Sequence, residues 1–417
     1  MNDTRSDTPL DATPTGASDA IPPDVIRLGV VSFLTDLSSE MIFAVFAVFF
    51  TTVAGASSTL LGLVEGLADF SASALSWVSG RMSDATGRRK PLAIAGYAFS
   101  TFAKALLVVS TAVASLAVFR VVERLGKGFR GPPRDAWLSS IASRASRGRA
   151  FGVHQALDKA GAVVGPLVAW ALLRGLGETP GAWHLLFVVA LVPAVASVTV
   201  LATMRERRAA QAVVPEAAPS GAAAAHPAAP DADTGPTPAL RRFLLPAGIF
   251  AAGYYSLGFL LLKAHASGFD TSQVVLLYAL FNATCVLVAP RIGRLGDRIG
   301  RARLVPLGYA LFALVNAMAA LATDRATLVA AFALYGVFYA IDESQSRAFV
   351  VDLQPARRAS ATGLYQTVTG VLYVVASLLA GALWQRSTVA PFAAAAAISV
   401  LAIVVFAWRR PQPPARE

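Results

Sequence analysis

Acidic and basic side chains sit inside long apolar runs of this chain, at spacings that put them on common helix faces. Asp36 and Glu40 stand four residues apart in one apolar run, and Glu65 and Asp69 repeat the interval in the next. Residues i and i+4 share a face of an α-helix. A third run carries Arg120, Glu123, Arg124, Lys127, Arg130, Arg134 and Asp135, with positions 120, 124, 127, 131 and 134 on one helical stripe. His154 and Asp158 form a further i,i+4 pair, followed by Lys159. One chemistry open to such groups is proton exchange, because a carboxylate in a partly dry cavity has a raised pKa and can trade its proton near neutrality. The other is permanent pairing that locks helices together. Seven acids (Asp36, Glu40, Glu65, Asp69, Glu123, Asp135, Asp158) nearly balance seven bases (Lys104, Arg120, Arg124, Lys127, Arg130, Arg134, Lys159) in the first half of the chain. Both readings stand for each carboxylate. No nucleophile–base constellation, Walker loop or metal-ligand spacing accompanies them, so no enzyme activity, cofactor or metal site is expected.

The elements that must position these groups are membrane helices. Only 15% of the residues are charged and 55% are hydrophobic, against about 25% charged in a typical soluble domain. Twelve apolar runs long enough to span a bilayer are expected. Six lie near Val25–Thr51, Thr59–Ser79, Pro91–Ser110, Ser115–Ile141, Ala150–Leu173 and Trp183–Met204. Six more lie near Phe243–Leu262, Val274–Ile292, Leu304–Ala322, Thr327–Val351, Ala359–Trp384 and Val389–Trp408. The expected fold class is an all-α membrane protein with two six-helix bundles, 25–204 and 241–408. Residues 1–24 read as a disordered tail without the basic start of a signal peptide. Residues 205–240, rich in Ala and Pro, read as a flexible linker, and 409–417 as a second tail. The net charge of +11 does not indicate nucleic-acid binding, because nearly all Lys and Arg lie in alternate connections or inside spans. The intervening connections carry only Arg174, Lys263, Arg325 and Arg386. That asymmetry places both termini in the cytoplasm. The single cysteine, Cys285, lies within a span and excludes an internal disulfide.

One short pattern occurs in both halves. Gly80-Arg-Met-Ser-Asp84-Ala-Thr-Gly87-Arg88-Arg-Lys-Pro91 returns as Gly293-Arg-Leu-Gly-Asp297-Arg-Ile-Gly300-Arg301-Ala-Arg303, each where a half's second span meets its third. Glycine permits close helix contact and a turn at positive φ. The Asp can meet a helix N-terminus or a neighbouring Arg, and the basic run holds the loop in the cytoplasm. Gly152-x-x-Gln155 and Gly363-x-x-Gln366 add a weaker repeat. The doubled loop resembles the signature of the major facilitator superfamily, and the resemblance covers nearly all of 25–204 and 241–408. It implies two pseudo-symmetric bundles, a small-molecule substrate near the midplane and alternating access by rocking of the halves.

Further motifs refine the resemblance. Arg124-x-x-Lys127-Gly128 is similar to the Arg-bearing fourth-helix motif of proton-driven members, where the Arg is associated with proton transfer. Lys127 stands where the family pattern commonly has an amide. Gly161-x-x-x-Gly165-Pro166 resembles the fifth-helix motif of drug–proton antiporters; its small residues allow close packing and Pro166 bends the helix. Ala376 and Ser377, at the equivalent place in the second half, lack it, as that pattern expects. The resemblance implies proton-coupled efflux of a small organic compound across a bacterial cytoplasmic (inner) membrane. Uptake of an organic anion on Lys127, Arg124 and Lys104 is the alternative, and a transport-inactive sensor a third reading. Candidate proton-coupling residues are Asp36, Glu40, Asp69, Arg124 and Asp158. Candidate substrate contacts are Lys127, His154, Gln155, Tyr254, Tyr278, Asn282, Tyr339 and Gln366. A cytoplasmic gate is expected from Gly80, Asp84, Gly87, Arg88, Arg134, Asp135, Gly293, Asp297, Arg301 and Arg347. Pro132-Pro133 is expected to kink the fourth helix. Protons, the substrate and the lipid bilayer are the expected partners, and a monomer suffices mechanically.

Overall fold

A chain segment in hydrocarbon has only its own backbone to satisfy its N–H and C=O groups, and every described element here is helical. The computed structural model describes residues 21–141, 147–206, 235–354 and 358–411. Most of the expected N-terminal tail, linker and C-terminal tail therefore lies outside the described residues. The first half comprises α1 (Pro23–Val48, continued by a π-helical turn, Phe49–Val53), α2 (Ser58–Thr86), α3 (Arg89–Val109), α4 (Val113–Ile141), α5 (Arg147–Leu176) and α6 (Pro180–Thr203). In the second half, α7 (Pro238–Gly253) and α8 (Gly258–Ala266) form one span broken at 254–257. α9 (Thr271–Ile299) and α10 (Arg301–Leu321) follow. The next span joins α11 (Arg325–Ile341), a π-helical turn (Asp342–Ser346) and α12 (Arg347–Leu353), and α13 (Arg358–Arg386) and α14 (Ala390–Arg409) complete the set. These make twelve spans in two sets of six. Ten are long and apolar enough to cross a membrane on composition. The other two, α2 and α4, are each 29 residues long but carry the charges described above.

The signature sequence is less of a loop than its spacing suggested. Helix α2 continues through Gly80 and Asp84 to Thr86 and stops at Gly87, whose φ of 63° provides the left-handed cap. Gly300 turns the second copy at φ 85°. The close-contact role expected of Gly80 and Gly293 is not found. A Cβ at Gly80 would sit 3.6 Å from Pro132 Cβ, an ordinary contact, and one at Gly293 would meet nothing within 4 Å. The basic residues instead tie helix ends together. Glu206 accepts the backbone N–H groups of Arg89 (3.0 Å) and Lys90 (3.1 Å), while Lys90 Nζ donates to Ala202 O at 2.8 Å and to Met204 O. A carboxylate at the start of α3 and an ammonium at the end of α6 both suit the helix dipoles. In the second copy Arg301 pairs with Asp352 at 2.5 Å and lies 3.9 Å from Asp297.

At Pro132-Pro133, where a kink is expected, α4 runs on without interruption to Ile141. The two prolines free the carbonyls four residues back, those of Gly128 and Phe129. Ser76 Oγ of α2 donates to Gly128 O at 3.1 Å and Ser79 Oγ donates to Phe129 O. Two serines three residues apart on the adjacent helix thus replace the lost backbone bonds.

The fifth-helix glycines do what their spacing predicts. A Cβ on Gly161 would come within 3.0 Å of Leu37 N, and one on Gly165 within 2.6 Å of Leu37 O and 3.1 Å of Glu40 Cβ. Helix α5 is therefore pressed onto α1, backbone to backbone. The two halves meet mainly through α2 against α13 and α5 against α9. Ser58 Oγ donates to Gly381 O at 2.9 Å, and a Cβ on Gly66 would lie 2.8 Å from Val374 Cα. The end of the molecule farthest from the basic loops is sealed by these contacts. Beside this seal, Asp270 caps α9 by accepting the N–H of Gln273 at 2.9 Å. Against the cost of its partial burial, Ser272 and that N–H hold the Asp270 carboxyl below its ordinary range.

Candidate functional site

The charges of the first half resolve into stacked layers. Nearest the seal, Arg120 of α4 donates through Nε and Nη2 to the two oxygens of Glu65 on α2, each at 2.6 Å. Its guanidinium also lies 4.2 Å from the Phe43 ring centroid. A planar fork meeting a carboxylate with two bonds is the strongest such geometry. Ser256, at the break between α7 and α8, donates to Glu65 Oε2 at 2.9 Å from the other half. Next to it Tyr278 of α9 donates through its hydroxyl to Glu40 Oε2 on α1. Two buried carboxylates of one half thus each accept a hydroxyl of the other.

Deeper within the first half, Lys104 Nζ donates to Ser39 Oγ at 2.9 Å, and Ser39 donates to Glu123 Oε1 at 3.1 Å. Lys104 and Glu123 are completely buried. Arg130 donates to Ser100 Oγ at 2.8 Å and lies 3.9 Å from Asp36, with its guanidinium over Tyr97. Toward the basic end, Ser32 joins two charges: it donates to Asp158 at 2.5 Å and accepts from Arg134 at 3.1 Å. Arg134 also pairs with Asp135 at 2.9 Å. Lys127, on the same helix between Arg124 and Arg130, is half-buried.

Exposure differs between these pairs, and Arg130 and Asp36 keep only 3% and 9% of their side chains exposed. The Arg120 and Glu65 side chains are 6% and 4% exposed, and those of Arg124 and Asp69, 3.2 Å apart, are 22% and 33% exposed. For Lys159 and Glu343, 3.6 Å apart across the halves, the values are 28% and 41%. Hydrocarbon cannot accept charges so exposed. They line a polar cleft between the halves, closed at the seal and open toward the basic loops.

The predicted site residues divide between cleft and packing. Glu40 and Tyr278 meet at the inter-half interface. Asp69 with Arg124, and Asp158, are partly exposed in the stack, and Asp36 is buried beside Arg130. Asn282 is half-buried and its Nδ2 donates to Tyr278 O at 3.3 Å. Gln155 is exposed one turn before Lys159, on the same face. Gln366 is half-buried. Among the described residues the buried His154 has no hydrogen-bond partner for Nε2, while Asp158 turns to Ser32 and Arg134. Tyr254 belongs to an aromatic cluster with Phe250, Phe312, Phe338 and Tyr373. Tyr339 packs against Phe281 at 5.5 Å. Of the residues expected at a gate, Arg134 pairs with Asp135 at 2.9 Å, while Asp84, Arg88 and Arg347 are exposed.

The sequence reading missed the hydroxyls. Ser32 and Ser39 each link two charged groups, Ser100 ties Arg130 to the Glu123 backbone carbonyl, and Ser256 bonds Glu65 from the other half. The signal was present in α1, where Ser32, Thr35, Asp36, Ser39 and Glu40 recur at helical spacing in an otherwise apolar run. The pairing of Lys159 with Glu343 carried no such signal.

Comparison with known proteins agrees with this architecture. The family model described as Major Facilitator Superfamily matches residues 28–262 and 243–417. An uncharacterized MFS-type transporter of Methanocaldococcus jannaschii is 31% identical over 388 residues, covering 91% of this chain and 92% of that protein. The multidrug resistance protein MdtH of Photorhabdus laumondii is 27% identical over 143 residues, 34% of this chain and 35% of that one. Among solved structures, the nucleoside transporter NupG superposes with a TM-score of 0.74 at 14% identity, covering 94% of this chain and 100% of that one.

Proposed function

This chain belongs to the major facilitator superfamily, and from that premise we propose that it exports a small organic compound in exchange for protons, by alternating access. It is a multi-pass membrane transporter. We place it in a bacterial cytoplasmic membrane with both termini in the cytoplasm, on the distribution of its Lys and Arg. The basic end is then cytoplasmic, and the cleft described above faces inward.

The observation that carries the coupling is the hydrogen bond from Tyr278 to Glu40 across the halves. A hydroxyl bonds more strongly to an ionised carboxylate than to a neutral one. Ionised Glu40 therefore holds the sealed end shut, and an empty, deprotonated carrier stays inward-facing. Protonation of Glu40 or loading of substrate loosens that hold and permits the switch, as exchange requires. Asp69, paired with Arg124 at the cleft surface, offers a second proton site. The fifth-helix glycines pressed on α1 carry the Glu40 backbone with α5, so movement of α5 displaces the carboxylate. The partial similarity to a multidrug resistance protein supports the outward direction. Anion uptake finds less support, because Lys104 is buried on Ser39 and Arg124 is paired with Asp69.

Inside-out vesicles energised by a proton gradient test the reading, with a pH-sensitive dye and a compound library. A compound that dissipates the gradient in the parent but not in Glu40→Gln is the expected result. A response that persists in Glu40→Gln and is lost in Asp36→Asn or Asp69→Asn would move the coupling site. Accumulation of an anion with protons in right-side-out vesicles would overturn the export reading.

A further inference from the structure

One ion pair spans the open part of the cleft and takes no part in the proton coupling described above. Lys159 Nζ of α5 lies 3.6 Å from Glu343 Oε2 in the π-helical turn between α11 and α12. Lys159 is twelve residues into α5, roughly 18 Å from the basic end at 1.5 Å per residue, near the middle of the bilayer core. Glu65 and Arg120 show what a structural pair looks like in this protein: two bonds of 2.6 Å, sealed from solvent. The Lys159–Glu343 pair is longer and keeps 28% and 41% of its side chains exposed. An ammonium has three donors and a carboxylate two acceptor oxygens, so both retain capacity for a further partner. A π-helical turn re-aims side chains and recurs at functional sites; here it carries Glu343. One turn earlier Tyr339 packs on Phe281, giving the pair an aromatic wall.

We propose that Lys159 and Glu343 form a subsite for a zwitterionic small molecule of the amino-acid type, its carboxylate on Lys159 and its ammonium on Glu343. Charge counting selects this class. A zwitterion replaces the existing pair charge for charge. A simple anion on Lys159 would set a second negative charge beside Glu343, and a simple cation on Glu343 would do the converse to Lys159. Like charges in a partly dry cleft repel strongly. The Asp69–Arg124 pair is neutral as a unit and leaves that balance unchanged. Because each half supplies one charge, the bound zwitterion takes over the link between halves that the side chains now make. The inference rests on the transport reading and names its substrate class.

The test is a thermal shift of the purified full chain in detergent, which reads binding without transport. The twenty common amino acids are screened singly, and each active one is followed by its N-acetyl derivative (an anion) and its amide (a cation). At least one amino acid is expected to raise the melting temperature by about 2 °C or more at saturation, with both derivatives inactive. The shift is expected to vanish in Lys159→Gln and Glu343→Gln and to return in the charge-swapped double variant Lys159→Glu/Glu343→Lys. Silence from all twenty, an equal shift from either derivative, or a shift that survives both single substitutions overturns the proposal. Binding of zwitterions without dissipation of a proton gradient would instead count against the coupling reading. A non-zwitterionic compound that dissipates the gradient while zwitterions fail to bind would leave coupling standing and refute the subsite.

Discussion

Tyr278→Phe isolates the contact proposed to hold the sealed end shut. The Tyr278 hydroxyl donates to Glu40 across the halves, with 9% and 8% of the two residues exposed. Phenylalanine removes only the hydroxyl and keeps the ring against Phe281 at 5.7 Å. A hydrogen bond to a charged group contributes about 1.5–3 kcal/mol. In the opened carrier Glu40 is hydrated whichever residue occupies position 278, so the loss falls on the sealed state alone. At about 1.4 kcal/mol per factor of ten, the population open at the sealed end rises roughly 10- to 150-fold. A cysteine at Ser58, whose hydroxyl bonds Gly381 O across the same seal, reports that population. In a Cys285→Ser, Ser58→Cys background, its reaction rate with an impermeant maleimide follows the open fraction. Ser256→Ala should raise the rate in the same direction but less, because Glu65 keeps both bonds to Arg120. A rate within twofold of the parent in folded Tyr278→Phe would refute the idea that this carboxylate latches the halves.

Two further predictions concern stability, read as thermal unfolding midpoints. Glu65→Gln or Arg120→Met alone strands a buried charge and should cost about 3–5 kcal/mol, while Glu65→Leu/Arg120→Met should recover most of it; a double variant no more stable than the singles would contradict the pairing. Gly165→Ala forces a Cβ to within 2.6 Å of Leu37 O and should destabilise by about 1–3 kcal/mol. Gly152→Ala meets nothing within 4 Å and should be neutral or stabilising by up to about 1 kcal/mol, so equal effects at the two glycines would show that α5 is not pressed on α1.

The spans were legible because apolar length alone sets them. Even α2 and α4, whose charges lower their hydropathy, were bounded by the turns around them. The interruptions were not legible. Tyr254 to Leu257 break the seventh span without a proline, at the point where Ser256 reaches Glu65 of the other half. The π-helical turn at Asp342–Ser346 likewise falls in a run with no local helix breaker. At Pro132-Pro133 the freed carbonyls were legible, but the hydroxyls that take them up, Ser76 and Ser79, lie on a neighbouring helix beyond the reach of a local reading.

By itself the sequence determined that this chain is a helical membrane protein in two similar halves, and that acids and bases share helix faces inside it. Those properties depend on composition and on the 3.6-residue period, both local. Tertiary structure alone decided which acid meets which base, and so which charges are sealed and which face the cleft. Spacing fixes a common face but not the direction in which that face points, and that direction comes from packing. Helix α5 pressed on α1 by two glycines, and α2 closed on α13, put Glu40 under Tyr278 and Lys159 beside Glu343. The first pair is buried as a latch. The second is left half open in the cleft.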